Sequence, residues 1–361
     1  MKAIRNVASY LFGQGALSRL EEVLRTDPRV PAGPVVYLVD HFFASHTAPL
    51  DKLPQRPEDR LIFIDTSHEP STDQVDEVAA GLRLDLADWD GLPGCIVGLG
   101  GGATLDMAKA VSNLLTNGGR AADYQGWDLV RVPGVYKIGV PTLSGTGSET
   151  SRTCVLTNYQ TGVKLGMNSD HSVFDQLILD PDLTTTVPRD QYFFTGLDTF
   201  FHCMETLNGR TRNGIVDAYS QKALELCRQV FLEGDMQDPD SREKLMIASL
   251  MGGAAAGNTG LVHPLSAGLS VVLGVHHGLA NCLAMKPLAQ FYPAEHAQFM
   301  AMARAQGVGL PAGLGASLGD EQVAKLYASC IVHEKPLSNH LGDDFQAILT
   351  PAKMAELFRA M

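Results

Sequence analysis

The sequence has no uninterrupted apolar run of the ~18 residues that a membrane-spanning helix needs. It also has no basic run, since 28 Lys and Arg residues stand against 40 Asp and Glu residues, and the formal net charge is −12. An acidic chain of this kind does not favour nucleic acid. We therefore expect neither a membrane nor a nucleic acid among its partners.

Cysteine is scarce, and its six residues form no CxxC motif. The N-terminal segment lacks the long apolar core and the cleavage site of a signal peptide. Both observations favour reduced thiols and a cytoplasmic protein. The hydrophobic share of 45% and the charged share of 19% are typical of a soluble globular enzyme, and 361 residues allow two domains.

One carboxylate and three imidazoles lie in apolar, helical stretches of the sequence: Asp198, His202, His263 and His277. Asp198 and His202 are four residues apart, which places both side chains on one face of a helix. Burial of such groups is costly unless they are paired. Their chemistry suits Fe²⁺ or Zn²⁺ better than Mg²⁺ or Ca²⁺. The alternative for each histidine is an ordinary hydrogen-bonded place in the core.

A glycine run follows the apolar stretch 96–99 and leads into an amphipathic helical pattern. Glycines let a backbone approach a phosphate closely, and a helix N-terminus offers it free N–H groups. The run matches neither the Walker loop nor the usual dinucleotide fingerprint, and an ordinary strand-to-helix turn is the alternative. The candidate cofactor-binding residues here are Gly100, Gly101, Gly102, Ala103, Thr104 and Asp106.

A second candidate loop, residues 139–150, follows another short apolar strand and is rich in glycines and hydroxyls. Thr142, Ser144 and Thr146 could donate hydrogen bonds to a diphosphate or a ribose. The alternative is a flexible surface loop.

Asp40 ends the apolar strand pattern 35–39. A carboxylate at this place can accept hydrogen bonds from ribose hydroxyls and repel a 2′-phosphate, which predicts NAD over NADP. A solvated aspartate at a strand end is the alternative.

The first half of the chain predicts alternating strands and helices, with strands at 35–39, 61–65, 95–99 and 136–140 and helices at 15–24, 72–82 and 106–115. This alternation indicates a parallel sheet with helices on both faces. Residues 153–170 predict a hairpin with its turn at 158–162.

The strand pattern stops at residues 178–188, where Pro181 and Pro188 break regular structure. Beyond this segment the sequence predicts successive helices, including 191–207, 214–232, 241–257 and 276–290.

These motifs, in this order, resemble the iron-containing (group III) alcohol dehydrogenase family. The family signature GGGSxxDxAK stands here as GGGATLDMAK, with Ala103 in place of serine. Its PTxxGTGSE loop stands as PTLSGTGSE, and its Asp-x-x-x-His pair as Asp198 and His202. His263 and His277 are separated by the fourteen residues of the family pattern. The resemblance covers the whole chain.

The resemblance implies an α/β plus all-α fold of the dehydroquinate synthase-like type. It has an N-terminal Rossmann-like dinucleotide-binding domain, expected at 1–183, and a C-terminal helical metal-binding domain, expected at 184–361. It further implies Fe²⁺ or Zn²⁺ held by the four residues above, NAD as cofactor, an active site in the cleft and a homodimer. Lys164 resembles a position that reaches the nicotinamide ribose.

Two positions near the expected metal ligands bear on proton transfer. Many family members have a further histidine four residues after the first late ligand, where this chain has Ala267. The substitution leaves a roomier pocket, which suits a bulky substrate. His276, beside His277, is a candidate for proton relay or substrate contact, with a structural role as the alternative.

The implied reaction is oxidation of a primary alcohol to an aldehyde with hydride transfer to NAD. Further stretches, among them YQGWDLV and LGVHHGLANC, resemble a subfamily that oxidises the terminal alcohol of an eight-carbon sugar acid. Arg152 is then the first candidate to hold the substrate carboxylate, because guanidinium binds carboxylate through two parallel bonds. Arg210 and Arg212 are secondary candidates.

Three other functions are compatible with the pattern. One is a metal-dependent dehydrogenase of small alcohols, diols or polyols. Another is a dehydroquinate synthase-like lyase, which would accumulate no NADH. The third is a metal-holding protein without catalysis, which would bind no dinucleotide.

Overall fold

The computed structural model describes residues 5–89, 91–257 and 259–361. It divides into two compact units. The first comprises Met1–Leu143, Ser148–Thr161 and Leu165–Thr186, and the second comprises Val187–Met361 together with the short segments Ser144–Gly147 and Gly162–Lys164. Nothing in the sequence indicated that these two short segments would belong to the second unit.

The first unit is built on a parallel sheet, as the strand–helix alternation predicted. Within the described residues the sheet has six strands in the order β1-β9-β6-β4-β2-β3, and every pairing in it is parallel. The strands of the chain are β1 (Ser9–Phe12), β2 (Val35–Asp40), β3 (Arg60–Ile64), β4 (Cys95–Gly100), β5 (Gly126–Trp127), β6 (Lys137–Pro141), β7 (Thr153–Asn158), β8 (Val163–Asn168) and β9 (Gln176–Leu179).

The α-helices of the described part of this unit are α1 (Leu20–Thr26), α2 (Thr72–Trp89) and α3 (Gly102–Asn117). β4 and β6 are buried along their whole length, which explains why their sequences are apolar apart from Lys137 at the start of β6. The predicted helix after the glycine run is confirmed as α3, but its middle residues do not face solvent. Every residue of α3 from Thr104 to Leu115 is buried, because this helix lies inside the unit.

The predicted hairpin is present as β7 and β8, which form a small sheet in the order β5-β8-β7. Its turn includes Gly162, whose φ of +68° is a left-handed conformation that glycine adopts without strain. The sequence analysis missed β1 and β9, two strands of four residues each, because short strands give little periodicity.

The second unit is helical, as predicted. Its helices are α4 (Arg189–Asn208), α5 (Gly214–Arg228), α6 (Pro239–Ala255), α7 (Val262–Leu273), α8 (His277–Met285), α9 (Pro293–Gln306), α10 (Asp320–Ile331), α11 (Glu334–Leu341), α12 (Phe345–Ile348) and α13 (Pro351–Arg359). Aromatic side chains from α4 pack into its core, including Phe193, Phe200 and Phe201. The predicted helix 214–232 is α5 only to Arg228 and continues as a π-helical segment, Gln229–Glu233.

The fold class predicted from the sequence is therefore confirmed: an α/β unit with a parallel sheet, followed by a helical unit. None of the helices in the described ranges combines the length and apolarity needed to cross a membrane. All six cysteines are buried and carry free thiols.

Candidate metal centre and cofactor-binding segments

Asp198, His263 and His277 bring one ligand atom each into a common space. The three atoms all lie within 4.8 Å of one another. His263 Nε2 is 3.1 Å from Asp198 Oδ1, and His277 Nε2 is 3.4 Å from Asp198 Oδ2. The Asp198 side chain is almost completely buried, with 1% exposed. Three residues that the sequence analysis selected thus converge on one point inside the helical unit.

The two late histidines come from different helices. His263 is the second residue of α7, and His277 is the first residue of α8. Gly274 ends α7 in a left-handed conformation with φ of +68°, and this turn redirects the chain. The prediction that a helix starts at His276 was wrong by one residue. His276 precedes the helix, is exposed, and has an extended ψ of 141°.

His202 lies beside the group of three converging residues. Its ring stacks on that of His263 with 4.3 Å between centroids, and its Nδ1 is 3.6 Å from Asp198 Oδ1. No hydrogen-bond partner for this buried nitrogen occurs in the part of the chain that the structure describes. A buried nitrogen in this state is costly unless something binds it.

The charges of these residues shift one another's pKa values. Burial alone would raise the pKa of Asp198, but His202, His277 and a hydrogen bond from His263 bring it well below its ordinary value. Burial lowers the pKa of His202 to about 4, despite the attraction of Asp198. Burial also disfavours charge on His263, yet the carboxylates of Glu205 and Asp198 raise its pKa to about 9.

The donor set fits a divalent transition metal. One carboxylate and several imidazoles are the ligands that Fe²⁺ and Zn²⁺ accept, whereas Ca²⁺ and Mg²⁺ prefer oxygen. The unpaired Nδ1 of His202 is a buried donor atom next to Asp198. The residues present would therefore hold Fe²⁺ or Zn²⁺.

Two residues that the sequence analysis missed contact this group. Glu205 Oε2 accepts a hydrogen bond from His263 Nδ1, and Asn281 Nδ2 donates to Asp198 Oδ1 at 2.8 Å. Glu205 could have been found from the sequence, because it follows Asp198 by seven residues and therefore shares its helical face.

Ala267 and His333 are two further residues of the second unit that lie near His263. Ala267 is buried, one helical turn after His263. His333 precedes α11, and its buried Nε2 has no hydrogen-bond partner among the residues described. Burial, with the charges of Lys164 and His263, lowers the pKa of His333 to about 4. The second unit therefore has a further neutral imidazole, which had no motif to mark it.

The glycine run lies where β4 ends and α3 begins. Gly101 is the N-cap residue of α3, so the first N–H groups of a 16-residue helix follow it, at Gly102, Ala103 and Thr104. A Cβ on Gly100 would lie 2.6 Å from the Thr104 side chain, and one on Gly101 would lie 2.7 Å from Leu143. Glycine is thus needed for local packing at Gly100, whereas at Gly101 the end of the Leu143 side chain could shift aside.

Asp40 and Thr142 lie at the same edge of the sheet as Gly100. β2, β4 and β6 are parallel neighbours, and Gly100 pairs with Pro141 at the end of β6. The Thr142 amide donates to the Gly100 carbonyl at 2.9 Å. Asp40 Oδ1 accepts hydrogen bonds from the Phe42 amide and the Thr66 hydroxyl, both at 3.0 Å. The carboxyl ends of parallel strands are the usual place for a bound nucleotide.

The hydroxyl-rich loop after β6 is anchored within the second unit. The amides of Gly145 and Gly147 both donate to Ser249 Oγ, at 2.8 and 3.3 Å, and the Thr199 hydroxyl donates to the Gly145 carbonyl at 2.8 Å. These two amides are thus already hydrogen-bonded, whereas the predicted cofactor contacts of the loop are the residues Thr142, Ser144 and Thr146. Ser144 Oγ is buried and has no hydrogen-bond partner in the described ranges.

Replacing Gly145 with alanine is expected to lower the free energy of unfolding by more than about 3 kcal/mol. The added Cβ would lie 1.8 Å from the Thr195 carbonyl oxygen, and the φ of +145° is unfavourable for any other residue. Urea denaturation followed by circular dichroism measures the effect. Gly162→Ala is the matched control, because its φ is also positive but nothing lies within 4 Å of the added atom. Equal losses in the two variants would contradict the packing explanation.

Two further predicted site residues, Asp106 and Lys164, are buried in the structure. Asp106 accepts from Ser148 Oγ, and its Oδ1 is 3.0 Å from Lys109 Nζ. Its Oδ2 accepts from the Val155 amide at 2.9 Å. These contacts join α3 to Ser148 of the hydroxyl-rich loop and to Val155 of β7, so they favour a structural role over direct cofactor binding. Lys164 is buried on the hairpin, with 4% exposed.

Arg152 is already paired with two carboxylates. Its Nε donates to Asp170 Oδ1 at 2.8 Å, and a second guanidinium nitrogen pairs with Asp128. Its Nη1 is buried and has no hydrogen-bond partner within the described ranges, so its predicted role as the clamp for a substrate carboxylate stays a prediction. Arg212 likewise pairs with Asp217, and Arg210 lies against Gly342.

Two family models match the chain. The model of the iron-containing alcohol dehydrogenase matches residues 8–181, and that of the C-terminal domain of the Fe-containing alcohol dehydrogenase family matches residues 193–329. The chain belongs to the iron-containing alcohol dehydrogenase family, as its motifs predicted.

Known proteins similar to the chain agree with this membership. Sulfoacetaldehyde reductase from Bilophila wadsworthia (strain 3_1_6) is 35% identical over 225 residues, which span 61% of this chain and 56% of that protein. Alcohol dehydrogenase from Oenococcus oeni has a TM-score of 0.83 at 20% identity, with 99% of both chains covered. Sulfoacetaldehyde reductase from Bifidobacterium kashiwanohense, solved in complex with NAD⁺, has a TM-score of 0.77 at 23% identity, with 99% of this chain and 98% of that one covered. The two structures share the fold of this chain.

Proposed function

We propose that the chain is a metal-dependent oxidoreductase that oxidises a primary alcohol to an aldehyde by hydride transfer to NAD. The observation that carries this proposal is the convergence of Asp198, His263 and His277 within 4.8 Å. Fe²⁺ is the proposed metal, in keeping with the family, and Zn²⁺ is chemically acceptable to the same donors. His202 is the proposed fourth ligand, because its Nδ1 is buried beside Asp198.

When bound, the metal supplies Lewis acidity toward a substrate hydroxyl, and NAD supplies the hydride acceptor. Asp198 contributes negative charge at the site and so moderates that acidity. The four donor residues, carried by the helices α4, α7 and α8, would hold the metal in a fixed place. His276, exposed just before α8, is the proposed proton relay.

NAD is the proposed dinucleotide, held at the carboxyl edge of the parallel sheet. The first N–H groups of α3, near Gly100, Gly101 and Gly102, would bind its diphosphate, and Asp40 its adenosine ribose. The fold supports this role, since a structure with the same fold was solved in complex with NAD⁺. Thr142, Ser144, Thr146 and Lys164 are further proposed contacts of the cofactor.

The proposed substrate is the C8 hydroxyl of 3-deoxy-D-manno-octulosonate. Its oxidation would precede transamination to the 8-amino sugar in lipopolysaccharide biosynthesis. Support comes from the sequence stretches noted above and from Ala267, a small side chain one turn from His263. A homodimer and a cytoplasmic location remain predictions that accompany this function.

A small alcohol or diol is the second candidate substrate. The specific observation in its favour is the 35% identity to a sulfoacetaldehyde reductase, since sulfoacetaldehyde is a small anionic aldehyde. The two candidates differ mainly in the size of the carbon chain that must fit beside Ala267.

An alcohol panel separates these substrates. The purified protein, loaded anaerobically with Fe²⁺ or with Zn²⁺, is mixed with NAD and either 3-deoxy-D-manno-octulosonate, 1,3-propanediol or ethanol. We expect NADH absorbance to rise with the sugar acid, with loss of two hydrogens from its mass. Turnover of the small alcohols alone would reject the sugar substrate and keep the reaction. A dioxygen-dependent mass change without NADH would reject NAD as the electron acceptor.

A further inference from the structure

Glu205 is a buried carboxylate that the proposed mechanism has not used. It lies on α4, two turns after Asp198, and its exposed fraction is 0%. Its Oε2 accepts the hydrogen bond from His263 Nδ1, while His263 Nε2 lies 3.1 Å from Asp198 Oδ1. The two nitrogens of this one imidazole therefore face two different carboxylates.

The second oxygen of Glu205 holds the start of α7. Glu205 Oε1 accepts from the Val262 amide at 2.5 Å and lies 3.5 Å from the Tyr292 hydroxyl. The chain passes so close that a Cβ on Gly260 would lie 2.4 Å from the Tyr292 hydroxyl and 3.0 Å from Glu205 Oε1. Glu205 thus binds both the backbone and the ring at the His263 end of α7, which limits movement of that ring.

We propose that Glu205 is the positioning residue of the metal centre, acting through His263. Glu205 accepts a hydrogen bond from the N–H group at Nδ1 of His263. It thereby selects the tautomer whose Nε2 lone pair points to Asp198 and His277. A histidine ligand needs that lone pair, and the hydrogen bond on its other nitrogen sets which nitrogen is free. This inference rests on the metal-dependent function proposed above.

Glu205→Gln is the most informative variant, because glutamine keeps the shape and replaces one acceptor oxygen with an NH₂ donor. If the amide nitrogen faces Val262, two donors oppose each other. If it faces His263, Nδ1 must accept, so the proton moves to Nε2 and the lone pair is lost to the metal. Either arrangement weakens ligation through this histidine.

We expect Glu205→Gln to raise the Zn²⁺ dissociation constant by about 10- to 100-fold. Competition of the whole protein with a chromophoric chelator measures this constant, and visible absorption of the Co²⁺-loaded protein reports changed coordination. Glu295→Gln is the matched control, since it removes the same charge from a less buried glutamate that contacts Asn208. The control should bind Zn²⁺ as the unchanged protein does.

A double-mutant cycle separates positioning from a purely structural role. In a His263→Ala background, Glu205→Gln should cause no further loss of Zn²⁺ affinity, because Glu205 acts through the missing imidazole. An equal loss in both backgrounds, or an unchanged dissociation constant in the single variant, would overturn the inference. Absence of Zn²⁺ binding by the unchanged protein would instead reject the proposed metal-dependent function.

A measurement on the unchanged protein covers the case in which Glu205→Gln does not fold. In the Zn²⁺-loaded protein labelled with ¹⁵N-histidine, NMR should show a protonated Nδ1 and a metal-bound Nε2 for the signal that His263→Ala removes. Binding through Nδ1 would contradict the proposed role of Glu205.

Discussion

Replacing His263 with alanine is expected to weaken metal binding enough that the variant purifies without metal, and to lower kcat by at least about 1000-fold, because Lewis acidity supplies several kcal/mol of the barrier reduction. His263 supplies one of the three converging ligand atoms and also connects Asp198 to Glu205. Its removal leaves two buried carboxylates without their shared cationic or metal partner. Elemental analysis of the purified variant and the NADH assay measure the two losses.

His68→Ala is the control for this experiment, because His68 is exposed in the first unit, outside the candidate metal centre. It should keep both metal and turnover. An active His263→Ala protein free of metal would refute the proposed mechanism. Metal retention at the unchanged stoichiometry would show that the remaining donors suffice without His263.

Replacing Asp40 with glycine is expected to reduce the preference for NAD over NADP by about 10- to 100-fold, because a carboxylate beside a phosphate costs several kcal/mol. Asp40 ends β2 at the edge where Gly100 ends β4, and a Cβ on Gly100 would lie only 2.9 Å from the Asp40 Cβ. The ratio of kcat/KM for the two cofactors, measured with one alcohol, gives the preference.

Asp40→Asn separates charge from structure in the same experiment. The amide oxygen can still accept from the Phe42 amide and the Thr66 hydroxyl, which Asp40 Oδ1 does now. This variant should relieve the repulsion of a 2′-phosphate, whereas Asp51→Asn, at an exposed position, should leave the cofactor ratio unchanged. An unaltered ratio in both Asp40 variants would remove Asp40 from the cofactor site.

Much of the fold could be predicted from local pattern. The apolar runs of β2, β4 and β6 and the helical periodicity after residue 188 depend on neighbours close in sequence, so they can be recognised without the tertiary structure. β1 and β9 could not, because each has four residues and gains its stability by pairing within the sheet. The helical pattern of α3 was recognisable, but its burial from Thr104 to Leu115 depends on the surrounding unit.

Only part of the candidate site could be predicted from local sequence pattern. The spacing of Asp198 and His202 places both on one face of α4, and this much follows from helix geometry. Their roles differ in the structure. Asp198 joins His263 and His277 within 4.8 Å, whereas His202 stacks beside His263 and lies outside that group.

By itself, the sequence determined the family and the order of most strands and helices. It also determined the polar residues, such as Asp198 and the late histidines, that need partners when they are buried. The tertiary structure alone decided which partners these are. It pairs His263 with Glu205, engages Arg152 with two aspartates, and binds the amide of Gly145 to Ser249. The physical reason is that these contacts join residues from 18 to 104 positions apart in the sequence. A local periodic pattern carries no information about which of these distant groups come within hydrogen-bond distance when the chain folds.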